Sequence, residues 1–235
     1  MTLTNAFSKR WCGLFLADVA AEHTEREVEF VRQHLPLPDC ARLLDVACGS
    51  GRHARLLTAH GYSVLGVDRS PELVAEAERR EPHARFQVLD MCDLGQLPSC
   101  FDGVLSLWHS FGFHDAATNR TVLEAFRDRL RKRGRVILDV YNRDHATSRP
   151  LIEHARRNGV SIETRRTWLG PRLELELFYD GELGDRFDWH LYSPDELAAV
   201  CDEVGLEVVC TCAWFDPTVA ASSEHARMQL VLERR

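Results

Sequence analysis

Two carboxylates and two glycines set the chemistry open to this chain. Asp45 ends an apolar run that begins at Leu43. Gly49 and Gly51 follow within six positions, and Asp68 ends the next apolar run, nineteen positions after Gly49. Having no Cβ, glycines let the backbone turn sharply and approach a ligand closely. A helix starting beyond them, from about Ala54 to His60, aims free N–H groups at whatever rests on the turn. An acidic residue about 20 positions past such a turn suits the two hydroxyls of a ribose. The set reads as a site for a nucleoside-like cofactor.

Gly49-x-Gly51-x-x-Ala54 also satisfies the short dinucleotide pattern. Asp45 speaks against that reading, because a carboxylate four positions before Gly49 repels a pyrophosphate. It attracts instead the α-ammonium and sulfonium of S-adenosylmethionine, which carries no phosphate. On these residues the chain resembles the class I S-adenosylmethionine-dependent methyltransferases. Leu44-Asp45-Val46-Ala47-Cys48-Gly49-Ser50-Gly51 is similar to their first motif, with Ala47 where glycine is common. Val64-Leu65-Gly66-Val67-Asp68-Arg69-Ser70 is similar to their second. The resemblance runs from about Leu43 to Asn142, with a weaker echo to the C-terminus. It implies a seven-stranded Rossmann-like α/β sheet with helices on both faces. It also implies that Asp45, Ala47, Gly49, Gly51, Asp68, Arg69, Asp90, Met91 and Leu107 hold the cofactor. In that family the Asp90 position accepts from the adenine amine, and the next backbone N–H, here of Met91, meets a ring nitrogen.

Ligands of open α/β sheets sit beyond the carboxyl ends of the strands. The segment Trp108-His109-Ser110-Phe111-Gly112-Phe113-His114, which follows the fourth strand, therefore faces the methyl acceptor. Methyl transfer needs an aligned acceptor and removal of its proton. His109 and His114 are the candidate bases near neutral pH. The chain lacks the Asn/Asp-Pro-Pro-Tyr/Phe sequence of enzymes that methylate nucleobase or glutamine amides. The stretch Leu105 to Phe113 is similar instead to enzymes acting on amino groups of sugars and other bacterial natural products. The expected reaction is thus methylation of a small-molecule amine or hydroxyl, the amine slightly favoured. An RNA or protein methyltransferase and a non-catalytic cofactor-binding protein are the alternatives.

Composition narrows the partners. A net charge of −7 over 235 residues argues against general binding to nucleic acid or anionic membranes. The basic run Arg127 to Arg135 fits the cation preference of a helix C-terminus. No apolar stretch suits a signal peptide or a membrane span. The eight cysteines lack metal-ligand spacing, so they read as thiols of a reducing cytoplasm, with no metal expected. Related enzymes are often homodimers, but no residue here marks an interface.

The remaining elements position this chemistry. Residues 1–38 form an N-terminal segment with a helix from Asp18 to Leu35, in which Trp11 or Phe15 closes over the ligands. Residues 39–142 form the cofactor-binding core, in which Ser70-Pro71-Glu72 starts a helix and a later one spans Ala117 to Lys132. Gly134 stops that later helix, and the fifth strand runs from Arg135 to Asn142. Residues 143–192 form an antiparallel insert over the acceptor site. It comprises a helix from Asp144 to Asn158, broken at Pro150, and a three-stranded meander turning at Leu169-Gly170-Pro171. Residues 193–235 close the core with a helix and a hairpin. Trp11, Phe113, Tyr141, Arg166, Trp168, His190 and Tyr192 are the candidate acceptor contacts.

Overall fold

The computed structural model describes residues 5–16 and 21–235. Two sheets organise the chain. The larger has seven strands in the order β10-β11-β5-β4-β1-β2-β3, and the smaller has four in the order β6-β7-β8-β9. In the larger sheet β1 (Arg42–Val46), β2 (Ser63–Asp68), β3 (Arg85–Val88), β4 (Phe101–Ser106) and β5 (Leu130–Tyr141) run parallel. β11 (Arg227–Arg234) lies antiparallel between β5 and β10 (Leu206–Cys212). The strands β1, β4 and β5 read as near-continuous apolar runs because helices cover both faces. One face packs Leu44, Val104, Val136 and Leu230 against Val122, Phe126 and Leu197; the other packs Leu43, Leu105 and Val231 against Val28, Val31 and Leu57.

The helices start where their sequences direct. Ser70 caps α4 (Pro71–Arg80) by accepting from the Leu73 N–H, with Pro71 in the first turn. Ser193 and Glu196 form a reciprocal capping box on α7 (Pro194–Glu203). α2 spans Ala21–His34, so the expected start at Asp18 lies outside the described residues. α3 (Arg52–Ala59) leaves the glycine turn with Gly51 at its N-cap. No helix among the described residues is long and apolar enough to cross a membrane.

Two sequence expectations are corrected. α5 (Ala116–Arg129) ends three residues before Lys132, and β5 begins at Leu130 rather than Arg135. Leu130 is buried and pairs with Phe101, after which residues 131–134 bulge before Arg135 pairs with Gly103. The cations there bind protein: Arg131 pairs with Asp102, Arg135 pairs with Glu233 at 3.1 Å, and Arg127 donates to the Val204 carbonyl at 2.7 Å. The second correction lies beyond β5. Only Arg143–Ser148 is helical (α6), and Ile152–Arg157 is a strand, β6. Pro150 forces Arg149 into extended backbone (ψ 147), and Asn158-Gly159, both at positive φ, turns the chain into β7 (Val160–Leu169). With β8 (Arg172–Tyr179) and β9 (Glu182–His190) the small sheet therefore has four strands rather than three.

The N-terminal segment is strapped to β9. Asn5 exchanges hydrogen bonds with Asp188 (2.8 and 3.2 Å) and donates its N–H to the Arg186 carbonyl at 2.9 Å. Ser8 donates from its N–H and its hydroxyl to buried Asp185, both at 2.9 Å, and Tyr179 donates to the same carboxylate at 2.7 Å. α1 (Lys9–Trp11) and a π-turn (Cys12–Leu16) then lay Trp11 and Leu14 on the small sheet's apolar face.

Candidate active site

Strand order reverses at β1: β2 and β3 lie on one side, β4 and β5 on the other. Such a switch point leaves a crevice outside the carboxyl ends of the strands. Asp45, Asp68, Asp90 and the Trp108–His114 loop all belong to that edge. A separate groove of about 670 Å³ opens at the opposite, amino ends, where Arg42, Ser63, Arg85 and Phe101 begin their strands. None of the candidate residues lines it.

The turn after β1 is built for close approach. Ala47, Gly49 and Gly51 have φ of 58°, 56° and 76°, and a Cβ added at Gly49 would meet no atom within 4 Å. Ala47 thus takes the left-handed backbone that glycine adopts freely, at the position where the family often has glycine. Asp68 braces the turn from β2, accepting from the Gly49 N–H and the Ser70 N–H, both at 2.9 Å.

Asp45 is buried, and its Oδ2 has no hydrogen-bond partner. Burial pushes its carboxyl up to about 7; Arg52 opposes the rise and Asp68 adds to it. A buried carboxylate oxygen without a donor is costly and calls for a cation. Arg52, at the start of α3, carries the complementary donor. Its Nη1 reaches Thr24 (2.6 Å) and Glu27 (2.9 Å), while its buried Nη2 has no partner. An unpartnered acceptor beside an unpartnered guanidinium nitrogen suits the zwitterionic end of an amino acid. The residues present therefore fit S-adenosylmethionine.

Beneath this turn lies a polar network that the sequence reading did not find. Glu27 of α2 accepts from Trp108 Nε1 at 2.6 Å and contacts His53 Nε2 at 2.7 Å. Burial alone would raise the Glu27 carboxyl, but the hydrogen bond to His53 and the charges of Arg52 and Arg227 hold it below its usual range. Asp139, fully buried on β5, accepts from the Trp108 N–H (2.8 Å), Gln229 Nε2 (2.7 Å) and the Arg227 guanidinium. Trp108 and His109 both hold positive φ, 59° and 48°, a strain of about 1–3 kcal/mol each in non-glycine residues. The Asp139 carboxylate and carbonyl, the latter accepting from the His109 N–H at 2.8 Å, fix that conformation.

The fixed loop aims His109 at an aromatic cluster. Its ring stacks on Tyr141 (4.2 Å, 16°) and meets the edge of Trp189 (6.1 Å, 86°). Phe113 stacks on Trp189 (5.4 Å, 26°), and Phe7 links Trp11 to Phe113 and Phe187. His109 Nδ1 and Trp189 Nε1 are buried without partners. Burial, and then the charge of Arg227, holds the His109 imidazolium well below the ordinary histidine range, so the ring is neutral at pH 7. Burial raises the Tyr141 hydroxyl to about 12.

The structure thus brings His109, Phe113, Tyr141 and Trp11 into one neighbourhood. Trp168 packs in the same small-sheet core, while Arg166 pairs with Glu153 at 2.8 Å and donates to the Pro150 carbonyl. His190 and Tyr192 pack ring against ring at a tilt (4.5 Å, 37°), and Tyr192 turns toward Phe111 and Asn119 on the α5 side. His114 meets the turn after β3, with its Nε2 3.5 Å from Cys92 Sγ. Asp90 caps a 3-10 turn (Met91–Gln96) by accepting from the Cys92 N–H, and half-buried Met91 follows it. Exposed Arg69 donates to the Asn5 carbonyl, tying the N-terminal strap to the end of β2. Leu107 is buried behind the turn.

Comparison with known proteins agrees with this geometry. Residues 43–134 match the family described as "Methyltransferase domain". Human glycine N-methyltransferase is 29% identical over 157 residues, covering 57% of this chain and 52% of the relative. A Streptomyces fradiae dTDP-3-amino-3,6-dideoxy-α-D-glucopyranose N,N-dimethyltransferase is 40% identical over 82 residues, covering 35% of this chain and 31% of that one. The chain spans about half the length, or less, of the curated relatives it matches. Among solved structures, an S-adenosylmethionine-dependent methyltransferase from Clostridium acetobutylicum superposes with a TM-score of 0.78 at 18% identity over 96% of both chains. An amino pentose methyltransferase from Micromonospora echinaspora, solved with S-adenosylmethionine bound, gives 0.73 at 22% identity over 99% of this chain and 100% of that one. Residues 43–134 thus match a methyltransferase-domain family, and the chain as a whole has the fold of the class I S-adenosylmethionine-dependent methyltransferases.

Proposed function

We propose that this chain transfers a methyl group from S-adenosylmethionine to an amine of a small molecule, with His109 taking the acceptor's proton. The observation that carries the reading is the buried, unpartnered Asp45 carboxylate at a glycine turn, which suits a cationic amino acid and not a pyrophosphate. In this reading Asp45 holds the cofactor's ammonium, and Arg52 Nη2 faces its carboxylate. Asp68 takes the ribose hydroxyls, Asp90 the adenine amine and the Met91 N–H a ring nitrogen, with Ala47, Gly49 and Gly51 giving the backbone room. When bound, S-adenosylmethionine supplies a methyl carbon on a sulfonium leaving group.

The protein's own task is to present a lone pair and keep water out. An amine arriving as its ammonium has no lone pair, so a neutral base must first accept a proton. His109 is neutral and its Nδ1 has no protein partner. The burial that disfavours its imidazolium also disfavours an acceptor's ammonium in the same surround, so the proton passes between two destabilised cations. Trp11, Phe113, Tyr141 and Trp189 form an apolar surround that favours the neutral amine over its charged form. Relatives whose names specify an amine acceptor, on glycine and on amino sugars, support the amine over a hydroxyl. A similar fold in an amino pentose methyltransferase involved in calicheamicin biosynthesis supports a natural-product acceptor, and the net charge of −7 speaks against RNA.

The test is to incubate the protein with methyl-labelled S-adenosylmethionine and a panel of amino sugars, amino acids and their hydroxyl analogues. The expected result is labelled amine with equimolar S-adenosylhomocysteine. His109→Ala should lower kcat by about 10²–10⁴-fold while keeping S-adenosylhomocysteine affinity. Transfer only to hydroxyl analogues, or an undiminished kcat in the variant, would contradict the reading.

A further inference from the structure

We propose that Asp90, Cys92 and His114 form a site for a soft divalent cation of the Zn²⁺ class, and that filling it excludes the cofactor's adenine. The three side chains come from two segments, the turn after β3 and the loop after β4. They place one ligand atom each within 4.8 Å of one another. Cys92 Sγ and His114 Nε2 stand 3.5 Å apart. Zinc binds thiolate at about 2.3 Å and imidazole at about 2.0–2.1 Å, and at a tetrahedral angle those bonds set the two ligand atoms about 3.5 Å apart. A thiolate, an imidazole and a carboxylate are a donor set that such an ion takes, with water in the fourth position.

The ligands are held from behind. The His114 carbonyl accepts from Arg172 Nη1 at 2.7 Å and from Asn119 Nδ2 at 3.0 Å, and Asp90 is fixed through the Cys92 N–H at 2.9 Å. Cys92 is exposed, so an ion reaches it from solvent. Binding forms a metal–sulfur bond and releases the thiol proton to solvent. The sequence alone did not show this site, because Cys92 and His114 are 22 positions apart and only the fold brings them together.

The second half rests on the reading of Asp90 as the adenine contact. A carboxylate that ligates a cation no longer accepts from the exocyclic amine, so metal and cofactor compete.

Co²⁺ serves as the probe for the metal, titrated into tag-free protein and read as thiolate-to-cobalt charge-transfer absorption, then displaced with Zn²⁺. One equivalent should give the band, Cys92→Ser should abolish it, and His114→Gln should weaken Zn²⁺ binding at least about tenfold. S-adenosylhomocysteine is then titrated with and without Zn²⁺. At free Zn²⁺ ten times its own dissociation constant, the apparent Kd should rise about elevenfold in the wild type and stay level in Cys92→Ser. Absence of the band, or an equal band in Cys92→Ser, would overturn the site. Unchanged S-adenosylhomocysteine affinity with Zn²⁺ bound would overturn the competition. If S-adenosylhomocysteine does not bind metal-free protein at all, the cofactor reading falls, and the cobalt band still decides the metal site.

Discussion

Asp45 works against the stability of the ligand-free fold, and that is what makes it informative. Its carboxyl is raised to about 7 by burial, against about 3.9 in an unfolded chain. The folded protein therefore holds this proton more tightly than the unfolded one. Its contribution to stability is fully present below about pH 4 and is lost as pH rises through about 7. Asp45→Asn should raise the melting temperature of ligand-free protein at pH 8 and change it little at pH 4, as differential scanning calorimetry would show. The same substitution removes a charge-assisted contact worth about 1.5–3 kcal/mol, so S-adenosylhomocysteine affinity should fall roughly 10–100-fold. For the wild type, affinity should weaken about tenfold per pH unit below about 7, because a protonated Asp45 no longer attracts the ammonium. Affinity independent of pH from 5 to 8 would remove Asp45 from the site. At this scale Asp45, Asp68 and the glycines were legible, because their spacing is local. Glu27, Arg52, Asp139 and Arg227 were not: they are scattered over more than 200 positions, and only the fold collects them around Trp108.

At the scale of elements, the N-terminal strap and the small sheet depend on one buried carboxylate. Asp185 receives the Ser8 N–H, the Ser8 hydroxyl and the Tyr179 hydroxyl, and so joins residues 5–16 to β8 and β9. Asp185→Ala leaves the buried Tyr179 hydroxyl and the half-buried Ser8 donors unpaired. It should cost about 2–4 kcal/mol, read by urea unfolding, and expose the strap to limited proteolysis near Trp11. A change under about 0.5 kcal/mol would show that the strap is held by its aromatic contacts instead. Helices α4 and α7 were legible from Ser-Pro-acid starts, whose cap chemistry is contained in three or four residues. β6 was missed because a charged, exposed segment before Asn158 carries no alternating apolar pattern. The turn signal was present all the same in Asn158-Gly159. The early start of β5 was hidden in a basic run that resembles a helix end, where the deciding fact is the burial of Leu130 against β4.

For the whole molecule, the order of strands places the glycine turn, Asp68, Asp90 and the Trp108–His114 loop at one edge. β1 and β4 are neighbours at the switch point, so the glycine turn and the Trp108–His109 loop open on the same crevice. β5 and β11 lock that loop from behind through Asp139 and Arg227, and β9 meets its far side, where the His190 N–H donates to the Gly112 carbonyl at 2.8 Å. Gly112 has φ 107°, and a Cβ there would sit 2.9 Å from the His190 carbonyl oxygen. Gly112→Ala should therefore part the small sheet from the loop and raise the acceptor KM more than it weakens S-adenosylhomocysteine binding, as steady-state kinetics and calorimetry would show. The doubly wound core was legible because each strand and helix announced itself within about ten residues. The joining of small sheet, strap and loop was not, since it rests on contacts between segments more than 50 positions apart. The central claim is that this crevice takes S-adenosylmethionine. Its most direct test is calorimetric titration of the intact protein with S-adenosylmethionine, S-adenosylhomocysteine and NAD at pH 8. The account predicts binding of the first two with dissociation constants on the order of micromolar, and no heat with NAD. Tight NAD binding with no response to the other two would contradict it.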